Sequence, residues 1–345
     1  MNPTESTMRA IVLQRPRELF VSEAPMPQPA EDEALVRVRA TGICSTDLMV
    51  FQGRYSNRLP IVPGHEAAGV VERIGAQVSH LQVGDRVVVE ASWGCGACAM
   101  CLSGEDFFCA NRVSQGRTRN GTFAEYLTAP ARAIHALPPE IEFNDAQAII
   151  TVACSVRAIR RGRPDMGDRV AIFGPGIAGI ILAQLARING ASEVVVFGTR
   201  DWRLEAAHNH GASELVNVRQ DHWALRALAL TDGQGFDVIF EASGNPEALF
   251  DAHRVVRTGG RIVTFSLYDG PIDQFPAQML YSKEITLIGV RGGAGGYPHA
   301  IESVRSGAVQ LGSLVSHILP LSDADEGFAL MERKEKGVMR VVLTP

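Results

Sequence analysis

Apolar and polar positions change their rhythm once along this chain, near Asp145. Before that point short runs alternate or are interrupted by glycine and proline. "ALVRVRATGI" (34–43) alternates, "IVPGHEAAGVVERIG" (61–75) is apolar and punctuated by glycine, and "GDRVVVEA" (84–91) follows a turn. Alternation with a period of two marks half-buried strands. No helical period persists here, so the pattern predicts an irregular, β-barrel-like domain. Met8 opens the first strand-like run and leaves residues 1–7 as a loose tail.

After Asp145 strand and helix take turns. The pattern predicts a helix over 145–161, then a strand over 168–174, a helix over 177–189, a strand over 192–198, a helix over 201–211 and a short strand over 214–218. Three more strands follow at 236–243, 260–266 and 284–290, separated by helix-length segments. The strands are continuous apolar runs, as expected of parallel strands buried on both faces by helices. This is a doubly wound α/β domain. The alternation then stops, and the closing "VMRVVLTP" sends the chain back to the first domain. The expected division is 1–155, 156–292 and a return segment 293–345.

Composition narrows the functional classes. The 345 residues are 46% hydrophobic and 21% charged, as in globular domains. A net charge of −5 and a pI near 6.0 argue against nucleic acid or an anionic membrane as the main partner. No stretch approaches the ~18–20 apolar residues of a membrane span, and the N-terminus lacks the pattern of a signal peptide, so a cytoplasmic location is expected. In a reducing compartment the six cysteines, Cys44, Cys95, Cys98, Cys101, Cys109 and Cys154, read as metal ligands before disulfides.

"FGPGIAG" sets Gly174, Gly176 and Gly179 as G-x-G-x-x-G between a strand and a helix that begins at Ile177. The first glycine permits the tight turn, the second admits a pyrophosphate, and the third allows close helix–strand packing. At the end of the second strand, where an NAD site places Asp or Glu on the ribose 2′-hydroxyl, the chain has Gly198, Thr199 and Arg200. Loss of the carboxylate and gain of a guanidinium suit a 2′-phosphate, so NADP is favoured over NAD. Asp201 is the alternative acidic residue if the loop bends differently, and Arg200 the alternative solvated loop residue.

"CGACAMCLSGEDFFC" spaces Cys95, Cys98, Cys101 and Cys109 as C-x2-C-x2-C-x7-C, in a lobe at about 93–112. Four thiolates close a tetrahedral shell around zinc and leave no position for substrate, which makes this a structural zinc. An iron–sulfur cluster has overlapping patterns, and a nucleic-acid zinc knuckle is disfavoured by the acidic "GEDFF". Cys44 in "GICSTDL" with His65 and Glu66 in "VPGHEAAG" offers thiolate, imidazole and carboxylate, a plausible catalytic zinc shell.

Through "GICSTDL", "PGHEAAGVVERIG", "VGDRVVV", the four-cysteine lobe, "GTFAEYL", "FGPGIAG" and "LVSHILPL", the chain resembles the zinc-dependent medium-chain alcohol/polyol dehydrogenases over essentially its whole length. The resemblance implies a GroES-like β-rich catalytic domain, an inserted Rossmann domain and a homodimer or homotetramer. It implies a catalytic zinc at Cys44 and His65 with Glu66 as direct or nearby ligand, Asp47 orienting His65, and Thr46 accepting the substrate's hydroxyl proton. It also implies hydride transfer between a secondary alcohol, polyol or sugar, or its carbonyl product, and a nicotinamide.

Two departures stand out. Where many members carry a proton-relaying His, this chain has Met49, and where members supply a Cys or Glu near the zinc, it has Ile150. Cys154 lies one helical turn beyond Ile150, about 5–6 Å away, so it ligates only if the helix is displaced. Otherwise it is a small apolar filler. Candidate pocket positions are Thr46, Tyr55, Ser92–Trp93 and Arg291, with Arg117 and Arg119 open to an anionic group. Two other classes remain: a cofactor-binding sensor or scaffold holding only the structural zinc, and an enone or quinone reductase, against which Cys44 and His65 count.

Overall fold

The computed structural model describes residues 7–268, 270–272 and 275–345. The tail expected at residues 1–7 lies outside them, except Thr7, which opens the strand Thr7–Arg15. The chain divides into two compact units, one running to Ile150 and resuming at Leu311–Pro345, the other Thr151–Gln310. No helix of the described residues is long and apolar enough to cross a membrane.

The first unit is built on a seven-stranded sheet. Its central strand Glu33–Gly42 pairs antiparallel with Ala67–Ile74, Tyr126–Pro130 and the C-terminal strand Val341–Thr344. Arg86–Val89 and Ile134–Ala136 extend one side, and His317–Pro320 lies parallel to Val341–Thr344 on the other. The period-two pattern at 34–43 is visible directly, since Arg37 and Arg39 are exposed between buried neighbours. The C-terminal helix Ala324–Arg333 is part of this unit's core: Phe328 packs on Phe51 and Phe123 with ring centroids 4.9 and 6.0 Å apart.

One helix here escapes the periodicity. Ser45–Phe51 is only seven residues long, too few turns for a 3.6-residue period to emerge from a glycine-rich surround. It carries Thr46 and Asp47, and Cys44 caps its N-terminus.

The second unit is a six-stranded parallel sheet in the order Glu214–Asn217, Glu193–Gly198, Arg169–Phe173, Phe236–Glu241, Val256–Thr264, Thr286–Gly289. In chain order this is 3-2-1-4-5-6, with helices between the strands, the doubly wound Rossmann arrangement. The expected fold class, a GroES-like β-rich domain with an inserted Rossmann domain, is the observed one. Two details differ. The helix expected over 145–161 is two helices, Phe143–Ala146 and Ile149–Gly162. The last strand is not buried on both faces: Leu287 is 40% exposed because Thr286–Gly289 forms the edge of the sheet.

Candidate metal and dinucleotide sites

The four cysteines of the lobe converge, with ligand atoms within 4.8 Å of one another. Cys98 Sγ stands 3.5 Å and Cys95 Sγ 3.9 Å from Cys101 Sγ. Sulfurs bound to a tetrahedral zinc are about 3.8 Å apart, from Zn–S bonds of about 2.3 Å, so the set fits that ion. The lobe has little else to hold it: Leu102 is 76% and Phe108 53% exposed. Its packing is nonetheless tight at the sulfurs, since a Cβ on Gly94 would stand 2.3 Å from Cys101 Sγ. Backbone N–H groups of Ala97 and Cys98 lower the Cys95 thiol to about 6, whereas burial and the neighbouring sulfurs raise Cys101 to about 11, so the lobe thiols titrate as an interacting set.

The second cluster is Cys44, His65 and Glu66, again within 4.8 Å. Asp47 organises it from the first turn of its helix. One carboxylate oxygen accepts from the Cys44 backbone N–H at 3.0 Å, and the other accepts from His65 Nδ1 at 3.1 Å. With Nδ1 held by Asp47, Nε2 faces Glu66 Oε1 at 3.9 Å and Thr46 Oγ1 at 3.4 Å. Burial opposes charge on His65, but Asp47 and then Cys44 outweigh it and raise the imidazole to about 10. Burial likewise opposes the Cys44 thiolate, yet His65 draws its pKa down to about 6, with Arg340 assisting. One sulfur, one nitrogen and one carboxylate oxygen form a donor set suited to zinc with a position left open.

Glycines bring His65 to this place. Gly64 has φ +90, and a Cβ on it would meet the Phe123 ring at 2.4 Å. Thr122 and Phe123 donate their N–H groups to Gly64 and Pro63 carbonyls at 3.1 and 3.0 Å, which is the structural content of "GTF".

Sequence reasoning missed the floor of the site. Arg340, in the C-terminal return, forms a buried ion pair with Glu66 and donates from Nε and Nη2 to Gln147 Oε1 at 3.1 and 2.6 Å. Arg340, Glu66 and Gln147 are 3%, 2% and 1% exposed. A Cβ on Gly42 would stand 2.1 Å from both Arg340 Nη2 and Gln147 Oε1, so the glycine makes room for the pair. The available signal was an arginine set in the apolar run "VMRVVL".

Several other candidate pocket residues have partners in the framework of their units. Arg119 donates to both carboxylate oxygens of Glu33, at 2.6 and 3.2 Å, and to Thr128. Trp93 is buried in the sheet's apolar core. Arg117 stacks on Tyr55, 4.0 Å from the ring centroid. Arg291 and Cys154 belong to the second unit, and the Cys44–His65–Glu66 cluster forms without Cys154.

In the second unit the three glycines have three distinct environments. Gly174 has φ +107, and a Cβ there would meet Ser243 Cα at 2.8 Å. A Cβ on Gly179 would stand 1.9 Å from Gly174 O, whereas at Gly176 nothing lies within 4 Å and the backbone is open. Gly176 caps the helix Ile177–Ile188, so its unpaired N–H groups are available to an anion. Gly198 ends the second strand, and a Cβ on it would stand 2.6 Å from Pro175, which excludes a carboxylate side chain at that position. Asp201 Oδ1 accepts from Asn217 Nδ2 at 2.7 Å. Arg203, not singled out in the sequence, has its pKa lowered to about 10 by burial and by the charge of Arg200.

Comparisons with known proteins agree with this geometry. Residues 30–139 match the alcohol dehydrogenase GroES-like domain and residues 178–306 the zinc-binding dehydrogenase domain. D-arabinitol dehydrogenase 1 of Uromyces fabae is 30% identical over 98% of this chain and 97% of its own length. A zinc-binding dehydrogenase of Sinorhizobium meliloti 1021 bound to NADP superposes with a TM-score of 0.91 at 26% identity, covering 99% of this chain and 100% of that one. An alcohol dehydrogenase of Escherichia coli CFT073 complexed with NADH does so at 0.92 and 27%, with the same coverage. A two-unit fold, a thiolate–imidazole–carboxylate cluster and a Gly-rich dinucleotide turn thus occur together with full-length similarity, and the chain belongs to the zinc-dependent medium-chain alcohol/polyol dehydrogenase family as an NAD(P)-dependent oxidoreductase.

Proposed function

We propose that this enzyme oxidises a secondary alcohol, polyol or sugar, or reduces the matching carbonyl, with NADP as its preferred cofactor. The observation that carries the catalytic part is the Cys44–His65–Glu66 cluster, with Asp47 fixing the His65 tautomer. Cys44, His65 and Glu66 would hold the catalytic zinc, and the lobe cysteines the structural one. When bound, the catalytic ion supplies Lewis acidity that favours loss of an alcohol proton near neutral pH. Asp47 keeps the Nδ1 proton on His65 and holds the start of the helix against Cys44. Thr46, half-buried beside His65, would take the substrate's proton. With Met49 where a relaying His is common, Thr46 would have to pass that proton to water or to a cofactor hydroxyl.

The polyol and sugar class rests on full-length similarity to a polyol dehydrogenase. NADP preference rests on the second strand's end. Gly198 bears no carboxylate, Asp201 is turned to Asn217, and Arg200 and Arg203 concentrate positive charge. A 2′-phosphate answers that charge with bidentate, charge-assisted bonds. Arg200→Asp is therefore expected to lower kcat/KM for NADP by about 100-fold, the worth of a strong charge-assisted contact, while NAD is unchanged or improved. Paired steady-state assays with both cofactors, run across alcohols, polyols and aldoses, check this. An unchanged NADP preference refutes the assignment of Arg200.

We assign Cys154 a packing role, because three protein ligands with an open position suffice for a catalytic zinc. Cys154→Ala is expected to retain two zincs per chain by elemental analysis. One zinc would make Cys154 a ligand.

A further inference from the structure

Glu241 is a carboxylate with 0% exposure at the end of the strand Phe236–Glu241. Four donors close on it. Ser243 N and Gly244 N reach Oε1 at 2.7 and 3.1 Å, the Ser243 hydroxyl donates to the same oxygen, and Tyr268 OH donates to Oε2. Burial, followed by the charge of Glu241, raises the Tyr268 pKa, so the phenol keeps the proton it donates. A buried carboxylate is costly unless its lone pairs are satisfied, and here one side chain gathers two separate loops to satisfy them.

The nearer of those loops, residues 242–244, flanks the dinucleotide turn. Ala242 N donates to Phe173 O at 2.8 Å, and Gly174, the first glycine of the phosphate-binding turn, has room for no Cβ against Ser243. On the other side, a Cβ on Gly244 would stand 3.1 Å from Leu267 O. The turn 242–244 is thus pressed between the Gly174 turn and the loop carrying Tyr268. Strands Arg169–Phe173 and Phe236–Glu241 are sheet neighbours at the point where strand order reverses. In such sheets a dinucleotide lies across the carboxyl ends of the strands there, one nucleotide to each half. Gly198–Arg200 lie on the half that takes the adenosine ribose, so Glu241 begins the other half.

We propose that Glu241 is a positioning residue for the nicotinamide half of the cofactor, acting through the Ala242–Gly244 turn and through Tyr268. The inference rests on the dinucleotide reading of the Gly174–Gly179 turn. It separates cofactor binding into two parts: ADP engages the Gly-rich turn and the second strand, whereas only the whole dinucleotide needs the turn that Glu241 holds.

The test uses the full-length, zinc-loaded protein titrated with NADPH, NADH and ADP, alongside Glu241→Gln and Tyr268→Phe. Tyr268→Phe removes one donor to a charged acceptor and is expected to weaken binding of the preferred reduced cofactor by about tenfold. Glu241→Gln, which keeps a single acceptor oxygen and removes the charge, is expected to weaken it further. ADP affinity should stay within about twofold in both, and the KM for alcohol should move less than the KM for cofactor. Unchanged cofactor affinity, or equal weakening of cofactor and ADP, overturns the proposal. Should Glu241→Gln fail to fold, Tyr268→Phe decides. A wild-type protein that binds neither reduced cofactor overturns the dinucleotide reading itself.

Discussion

His65→Ala is expected to leave one zinc per chain and to lower kcat/KM for alcohol oxidation by about 1,000-fold or more, since a catalytic metal contributes several kcal/mol at the reacting oxygen. His65 is the only nitrogen donor of its cluster, and its removal leaves Cys44 and Glu66, too few ligands for a stable zinc shell. It also deprives Asp47 of the imidazole that Asp47 holds at 3.1 Å. The four-cysteine lobe belongs to a separate set of ligands, so its zinc should remain, and the lost ion is therefore assignable. Elemental analysis with steady-state kinetics checks both parts. Two zincs in the variant would show that His65 is not needed to hold the second ion, and near-normal turnover with one zinc would show that the chemistry does not depend on it.

Arg340→Met should destabilise the fold by about 3–5 kcal/mol, because it leaves Glu66 buried without its cation. Gln147 loses two donors at the same stroke. The cost comes from stranding a carboxylate that is 2% exposed, more than from losing an attraction. Hence Arg340→Met combined with Glu66→Gln should regain much of the loss, since removing both charges spares the desolvation. Urea or thermal unfolding of the two variants and the parent distinguishes these outcomes. Equal stability of Arg340→Met and the parent would mean that the Glu66–Arg340 pair contributes nothing.

Much of the candidate site was legible because its ligands arrive in short, ordered segments. Cys44, Thr46 and Asp47 share a single helical turn, His65 adjoins Glu66, and four cysteines fall within fifteen residues (95–109). Local spacing carries that chemistry. Arg340 and Gln147 were not legible, being 193 residues apart and joined only when the return segment adds its strand to the sheet. Arg119 read as a possible anion contact because a charge in sequence does not announce its partner, and Glu33 lies 86 residues away. The helix Ser45–Phe51 was hidden for the opposite reason: it is too short for its period to show.

The sequence by itself determined the class of fold, the two sets of zinc-type donors and the dinucleotide turn. Apolar periodicity, thiolate spacing and glycine placement are local properties, written within a few residues of one another. Tertiary structure alone decided how Glu66 is neutralised, why Gly42 and Gly198 must be glycine, and which carboxylate gathers the loops beside Gly174. Each of these depends on groups brought together across long stretches of chain, where burial makes an unpaired charge or a misplaced Cβ costly enough to matter.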